Sequence, residues 1–169
     1  MKADGFHVVI GNPPYIRIQT MKEWAPDEVE YFKFHYASAS RGNYDIYVIF
    51  VEKGLSLLNE QGRLGFILPH KFFNAKYGQP LRKLIYDGKH LAEIVHFGDQ
   101  QVFEGVTTYT CLLFLGKSGK DTFRFVKPTD LDGLQLMSRA DEVYISADKA
   151  TSTEWNFSLE KESAIFEKL

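Results

Sequence analysis

The sequence predicts an α/β fold in which strands and helices alternate along the chain and build a parallel sheet. Three observations support this prediction. Short apolar runs end abruptly at glycine or proline, which is typical of buried strands. Segments with apolar residues at three- and four-residue steps lie between these runs and indicate amphipathic helices. The resulting order of strand, helix, strand, helix, strand is characteristic of parallel sheets.

The first half of the chain begins with a predicted strand at residues 7–10, which a glycine and a double proline end. Residues 16–41 are aromatic, charged and weakly periodic, so we expect a long surface loop that contains a short helix over residues 27–36. Residues 45–59 carry apolar side chains at helical spacing and predict an amphipathic helix. We expect Gly62 to end this helix in a left-handed conformation.

The second half continues the same alternation. Residues 64–69 read as a fully buried strand, and residues 77–86 predict a second helix. Further strands are predicted at residues 91–97, 108–115, 123–126 and 143–145.

Length and composition exclude several classes of protein. The chain has 169 residues, which suggests one domain, with or without an appendage. A single cysteine excludes an internal disulfide framework and a zinc site with several thiolates. The net charge of −2 excludes a strongly basic protein of the histone type, and the five histidines show no metal-ligand spacing. We expect a cytoplasmic protein without a membrane partner, because neither a span of roughly 18 apolar residues nor a signal peptide is present.

The tetrapeptide at residues 12–15, Asn-Pro-Pro-Tyr, begins where the first predicted strand ends. Ligands of parallel sheets bind at the carboxyl ends of strands. The two prolines remove two backbone donors and hold the residues before them extended. Carbonyl acceptors, the Asn12 side chain and the flat face of Tyr15 together suit a planar group that bears an exocyclic amine, such as adenine. The alternative is an ordinary strand-to-loop turn with a buried tyrosine.

This tetrapeptide, placed after a short apolar strand, resembles motif IV of the S-adenosylmethionine-dependent amino-methyltransferases. The wider stretch at residues 8–17 is similar to the gamma-class adenine-N6 DNA methyltransferases of restriction–modification systems, especially those fused to restriction nucleases (type IIG). Residues 42–48 and 62–69 match the family's next helix and strand, and residues 97–108 match its motif VIII. His7 departs from the family, which usually has Asp before the strand.

The resemblance implies the C-terminal half of a Rossmann-like, S-adenosylmethionine-dependent methyltransferase fold over residues 1–120. Residues 121–169 would be an extension that leads toward a DNA-recognition domain. In catalysis, the Asn12 side chain and the Pro13 carbonyl would accept the two N6 hydrogens of an adenine. Tyr15 would stack on the flipped base, and Pro14 and Phe103 would also contact the substrate, although Phe103 equally fits a core position.

Other residues have weaker signals. Tyr44 and Asp45 could approach the cofactor or substrate, but Asp45 fits better as a helix-start residue. Four basic residues could face phosphates near the cleft, or could simply be solvated helix residues. They are Lys71, Lys76, Arg82 and Lys83.

The resemblance also implies partners. In gamma-class order the glycine-rich turn and the acidic residue that hold S-adenosylmethionine lie upstream of residues 12–15, and the 11 residues before Asn12 contain neither. We therefore expect the isolated chain to be inactive. The intact enzyme would combine it with the N-terminal half of the core, a DNA-recognition domain and double-stranded DNA that carries a flipped adenine. The alternatives are an RNA or protein-glutamine N-methyltransferase, or a non-catalytic remnant that binds nucleic acid.

Overall fold

The computed structural model describes residues 5–100, 102–103, 109–129 and 140–159. The strands are β1 (Phe6–Gly11), β2 (Leu58–Pro69), β3 (Leu91–His96), β4 (Thr110–Gly116), β5 (Thr122–Pro128) and β6 (Ala140–Ser146). The α-helices are α1 (Ile18–Lys22), α2 (Pro26–His35), α3 (Tyr47–Ser56) and α4 (Gln79–Asp87). Short 3₁₀ turns occupy Ala37–Ala39, His70–Phe73, Lys76–Gly78 and Ala147–Lys149. No helix in these ranges is long and apolar enough to cross a membrane.

All six strands form one sheet in the order β1-β2-β4-β3-β5-β6. The pairs β1–β2 and β3–β5 are parallel, as the alternating pattern predicts. The sheet is nevertheless mixed, because β4 lies antiparallel between β2 and β3, and β6 runs antiparallel to β5. Alternation along the chain does not reveal where a later strand inserts, so the position of β4 is visible only in the structure. Its insertion brings the carboxyl ends of β2 and β3 and the start of β4 to the same edge of the sheet.

One face of the sheet carries the core. Along β2 the alternate residues Leu64, Phe66 and Leu68 are buried in the main apolar cluster, together with buried residues of α3 and α4. Gly54 of α3 allows this close packing, since a Cβ atom there would lie 2.6 Å from Cδ1 of Leu64. The face of α3 toward the sheet therefore combines apolar side chains with one glycine, whose missing side chain leaves room for Leu64.

The opposite face of the sheet exposes apolar side chains in the described part of the chain. Val8 is 66% exposed and Ile10 is 83% exposed, and both line a shallow concavity of about 490 Å³. Arg124 lies in the same concavity, where it bonds both carboxylate oxygens of Glu93 at 2.9 and 3.1 Å. The sequence predicts strands that are apolar on both faces. On this second face Val95 and Val126 are buried in a small separate cluster, whereas the part of the face at β1 is uncovered.

Two local predictions differ from the structure. The helix predicted over residues 45–59 is present as α3, but it ends at Ser56 and Gly62 does not stop it, because Gly62 lies inside β2 and outside the left-handed region. A Cβ atom at Gly62 would lie 2.6 Å from the Phe6 carbonyl oxygen, so this glycine serves the close approach of β1. Within residues 16–41 the helix predicted over residues 27–36 is present as α2, but the prediction missed α1, which the buried Ile18 and Met21 anchor.

The segment after β6 is fastened to the core by Trp155 and Arg82. The Trp155 indole is buried against Phe72 and Phe73, at ring-centroid distances of 5.7 and 5.3 Å. The guanidinium of Arg82 is also buried and donates to the carbonyl oxygens of Phe72, Ala75 and Ser152. Burial lowers the pKa of this guanidinium. Arg82 is thus a structural residue that joins α4, the turn after β2 and the terminal segment, and it is not free to face a phosphate.

We expect Arg82→Met to lower the free energy of unfolding by about 3 kcal/mol, because it leaves buried carbonyl groups without their charged donor. Urea unfolding of the chain measures the change. Lys83→Met is the matched control: Lys83 is exposed and forms an i,i+4 ion pair with Asp87, so its loss should cost about 0.5 kcal/mol or less. Equal destabilisation by the two variants would contradict the structural role of Arg82.

Candidate functional site

The strand pairing gathers several loops at one edge of the sheet. Because β1 and β2 are parallel, with Gly11 opposite Phe66, the loops that follow both strands leave the sheet on the same side. Thr110 pairs with Pro69, so the start of β4 lies at this edge as well. His96, the last residue of β3, pairs with Cys111, so the end of β3 also lies at this edge. Carboxyl edges of this kind are where α/β proteins bind ligands.

The loop at residues 12–17 is anchored at its far end. The Ile46 amide donates to the Ile16 carbonyl at 2.8 Å, and the Ile18 amide donates to the Tyr44 carbonyl at 2.9 Å. Pro13 is buried, whereas Asn12 is exposed and leaves its side-chain amide accessible. A stiff turn that is tied at both ends therefore presents Asn12 at the carboxyl edge of β1.

Tyr15 is held in one orientation by two contacts. Its hydroxyl donates to the Ile67 carbonyl of β2 at 3.2 Å. Its ring meets the Tyr47 ring edge to face, with centroids 6.4 Å apart. Burial raises the pKa of Tyr15 to about 12, with a smaller contribution from Cys111, so the phenol is neutral at physiological pH. The half-buried ring is thus a fixed, uncharged aromatic surface beside the Asn-Pro-Pro turn.

The ring that contacts Tyr15, that of Tyr47, belongs to a chain of hydrogen-bonded side chains. The Tyr47 and Tyr77 hydroxyls are 2.9 Å apart, and the Tyr77 hydroxyl lies 3.2 Å from Oδ2 of Asp45. Because a carboxylate only accepts hydrogen bonds, Tyr77 donates to Asp45 and Tyr47 donates to Tyr77. Burial is the main reason why the pKa values of both tyrosines are raised. Asp45 makes no side-chain cap on α3, so its expected helix-start role is wrong, and it lies at the edge of the site instead.

A cavity of about 710 Å³ lies next to Tyr15. Its lining comes from the loops after β1 and β2, the last residue of β2, the segment before α3 and the residue before β4. It consists of Tyr15, Arg17, Asp45, Pro69, His70, Lys71, Asn74, Ala75 and Tyr109. Of the basic residues that the sequence left open, Lys71 lines this cavity. His70 and Tyr109 were not singled out, although both directly flank strand ends, which is the signal that could have identified them.

Phe103, the predicted second aromatic contact, is half-buried in a bend at residues 102–103. No ring contact between Phe103 and Tyr15 occurs among the residues that the structure describes. Residues 101 and 104–108 of the motif VIII stretch lie outside the described residues. The role of Phe103 in substrate binding stays a prediction. Within the described ranges, no group of three histidine, cysteine or acidic side chains could hold a metal ion.

Comparisons with known proteins place this geometry in context. Residues 1–103 match the family model described as Eco57I restriction-modification methylase. The chain is 37% identical over 163 residues to the type II restriction enzyme and methyltransferase RM.Eco57I of Escherichia coli, covering 96% of this chain and 16% of that protein. It is 32% identical over 136 residues to the type II methyltransferase M.PaeR7I of Pseudomonas aeruginosa, covering 80% of this chain and 23% of that protein. The chain thus spans only about a sixth to a quarter of the length of these relatives.

Solved structures agree on the fold. The type IIG restriction endonuclease BpuSI superposes with a TM-score of 0.65 at 14% identity, covering 88% of this chain and 20% of that one. The methyltransferase subunit of a type I restriction-modification system from Streptococcus thermophilus superposes with a TM-score of 0.63 at 15% identity, covering 88% of this chain and 36% of that one. These likenesses confirm the predicted α/β methyltransferase fold.

The buried hydroxyl of Tyr15 predicts a measurable dependence on alkaline pH. Its folded-state pKa of about 12 exceeds the ordinary value of 10.0, so folding favours the protonated phenol. This contribution to stability is complete below pH 10 and is lost as the pH rises toward 12. Tyr15→Phe should therefore reduce the loss of stability between pH 10 and pH 12, measured by urea unfolding at a series of pH values. Replacing the exposed Tyr31 by Phe is the control, and equal effects of the two changes would refute the prediction.

Proposed function

The chain belongs to the Eco57I restriction-modification methylase family, and on this premise we propose that it is part of a DNA methyltransferase that methylates N6 of a flipped adenine. One observation carries the proposal. The Asn-Pro-Pro-Tyr loop stands at the carboxyl edge of the sheet, with the Asn12 amide accessible and the Tyr15 ring fixed beside it. The relatives are named as type II methyltransferases, one of them also as a restriction enzyme, which favours DNA as the substrate.

Asn12 and Pro13 would orient the amine of the substrate. Two acceptors, Oδ1 of Asn12 and the Pro13 carbonyl oxygen, match the two N6 hydrogens of adenine. The lone pair of N6 is normally conjugated with the ring. When both hydrogens are held by acceptors, the nitrogen can turn toward a tetrahedral geometry, and its lone pair becomes available for methylation. Because Pro13 and Pro14 have no N–H groups, no backbone donor of either residue competes for these acceptors.

Tyr15 would bind the base after it leaves the duplex, since the N6 atom is unreachable inside the stack. Stacking of a base on an aromatic side chain contributes roughly 1–3 kcal/mol. The hydrogen bond to Ile67 and the contact with Tyr47 fix the Tyr15 ring before the base arrives, so little side-chain entropy is lost on binding. Pro14, which is exposed, and Phe103 are further proposed substrate contacts.

S-adenosylmethionine, the methyl donor implied by the family and fold, supplies an electrophilic methyl group when it is bound. The described residues do not by themselves fit a complete site for it. Ribose hydroxyls are usually bound by a carboxylate, and Asp45, the acid that lines the site, already accepts a hydrogen bond from Tyr77. We propose that residues outside this chain hold most of the donor, and that this chain forms the substrate side of the centre.

The uncovered part of the second sheet face, at β1, supports a larger assembly. Val8 and Ile10 are exposed on the edge strand β1, although isolated chains rarely leave such strands open. We propose that the remaining half of the methyltransferase core covers this face and pairs with β1. In this proposal residues 1–120 complete the catalytic domain, and residues 121–169 lead toward the part that recognises the DNA sequence.

An RNA or protein-glutamine substrate and a non-catalytic role remain the competing functions. Methylation assays with labelled donor and the full-length protein separate them, using DNA, RNA and protein as acceptors. Label found in N6-methyladenine from DNA supports the proposal. Label confined to RNA or to glutamine overturns the substrate, and salt-dependent DNA binding without transfer of label overturns the activity.

We expect Asn12→Ala to slow methylation by the full-length protein about 10²–10³-fold, because a preorganised polar contact to the reacting group is lost. Single-turnover rates at saturating DNA measure the change. Asn59→Ala is the matched control. Asn59 lies at the beginning of β2, opposite the site, where its side chain accepts from the Gln61 amide at 3.1 Å. An unaltered rate for Asn12→Ala would remove this residue from the mechanism.

We also expect the isolated 169-residue chain to show no measurable binding of S-adenosylmethionine by calorimetry and no methyl transfer. The reason is that its described side chains form only one side of the centre. Circular dichroism provides the control that the chain is folded during the titration. Micromolar donor binding by the isolated chain would contradict the expectation.

A further inference from the structure

The cavity beside Tyr15 continues into a second cavity. The first measures about 710 Å³ and the second about 350 Å³. Four residues line both of them, namely Arg17, Asp45, Lys71 and Ala75. We call this continuous depression the Arg17–Lys71 groove. The chemistry proposed for residues 12–15 uses neither of its two cationic side chains.

The groove is cationic, and its cations stand on fixed backbone. Arg17 and Lys71 are exposed. Arg17 lies between the two backbone hydrogen bonds that anchor residues 16 and 18. Lys71 lies in the 3₁₀ turn after β2, where its carbonyl accepts from the amides of Asn74 and Ala75. Among the described residues, Asp45 is the one acidic side chain in the lining, and its Oδ2 accepts a hydrogen bond from the Tyr77 hydroxyl. An anionic ligand therefore meets two positioned cations and a single, already bonded carboxylate.

At the other end of the groove, three aromatic rings form a nearly parallel column. The rings of His70 and His96 are stacked, with centroids 4.4 Å apart and an interplanar angle of 10°. The Tyr109 ring lies 6.2 Å from His70 at an angle of 15°. The His70 amide donates to the Tyr109 carbonyl at 3.2 Å, which fixes the two residues relative to one another.

The outer ring of this column is available for a ligand. Tyr109 is 47% exposed and lines the same cavity as Tyr15. Behind it, Nδ1 of His70 is buried and has no hydrogen-bond partner among the described residues. Burial lowers the pKa of His70 although Asp99 opposes the shift, so the ring is uncharged at neutral pH. A neutral, rigid aromatic platform next to two cations is the combination that binds single-stranded nucleic acid.

Resting on the proposed function, we propose that the Arg17–Lys71 groove binds the DNA strand next to the flipped adenine. A phosphate beside that adenine contacts Arg17 and Lys71, and the base of a neighbouring nucleotide stacks on Tyr109. The groove starts at Tyr15, where the target base would stack, so a strand that leaves this position enters the groove directly. The site positions the strand and takes no part in methyl transfer.

The cationic half of the proposal is tested in the full-length protein with the double variant Arg17→Met/Lys71→Gln. The probe is duplex DNA that contains the protein's methylation site, identified beforehand by sequencing of methylated DNA. We expect the Kd to rise about tenfold and the slope of log K against log salt concentration to fall by about one unit, because one phosphate contact is lost. The single-turnover rate at saturating DNA should stay within about twofold. Lys83→Met is the control, since Lys83 is exposed on α4 and does not line the groove.

The aromatic half is tested with 2-aminopurine, a fluorescent base, at the two positions that flank the target adenine. Stacking on Tyr109 should quench one of these positions in the complex. Tyr109→Ala should relieve this quenching several-fold, whereas Tyr109→Phe, which keeps the ring and the fold, should retain it. Unchanged fluorescence in Tyr109→Ala at both positions overturns the stacking.

The two proposals fail in different ways. If Asn12→Ala abolishes methylation but the double variant keeps the wild-type Kd and salt slope, the groove is refuted and the proposed function stands. If the wild-type protein transfers no methyl group to DNA, the proposed function fails whatever the groove variants do.

Discussion

The parallel pairing of β1 with β2 is the constraint on which the candidate site depends. It places the loop after Gly11 and the turn after Pro69 side by side, and the hydroxyl of Tyr15 reaches across to the Ile67 carbonyl because of it. The antiparallel insertion of β4 then delivers Tyr109 to the same edge. Glycine at position 62 allows this pairing, since any side chain there would collide with the backbone of β1.

The stiff Asn-Pro-Pro turn can hold Asn12 and Tyr15 in one orientation only because the segments it packs against are also fixed. Proline restricts the backbone of the turn, but the direction in which Asn12 and Tyr15 point depends on the hydrogen bonds that Ile16 and Ile18 make with the segment before α3. Next to them, hydrogen bonds from Tyr47 to Tyr77 and from Tyr77 to Asp45 satisfy the hydroxyl groups of the buried Tyr47 and the half-buried Tyr77. A rigid site of this kind can favour one geometry of a reacting amine without ordering itself during the reaction.

The sequence alone was sufficient for the elements with a strong local pattern. The buried core of β2, the helix α3 and the loop at residues 12–15 follow from periodicity and proline chemistry, which act over a few residues. Two features could not be predicted in this way. A glycine at position 62 is typical of a helix end, and only the proximity of Phe6 explains its place in a strand. His70 and Tyr109 meet because Pro69 pairs with Thr110, a contact between distant residues that no local pattern specifies.

The division between the two faces of the sheet links the fold to the proposed chemistry. The covered face supplies the rigidity that holds Tyr15 and Asn12, because Tyr47 and the residues of β2 are buried there. The opposite face leaves Val8 and Ile10 exposed on the strand that ends in the Asn-Pro-Pro turn. Protein that covers this face would therefore lie next to the turn as well. On the proposed function, the same contact that completes the core would bring the methyl donor to the amine, so folding of the intact enzyme and assembly of its centre would be one event.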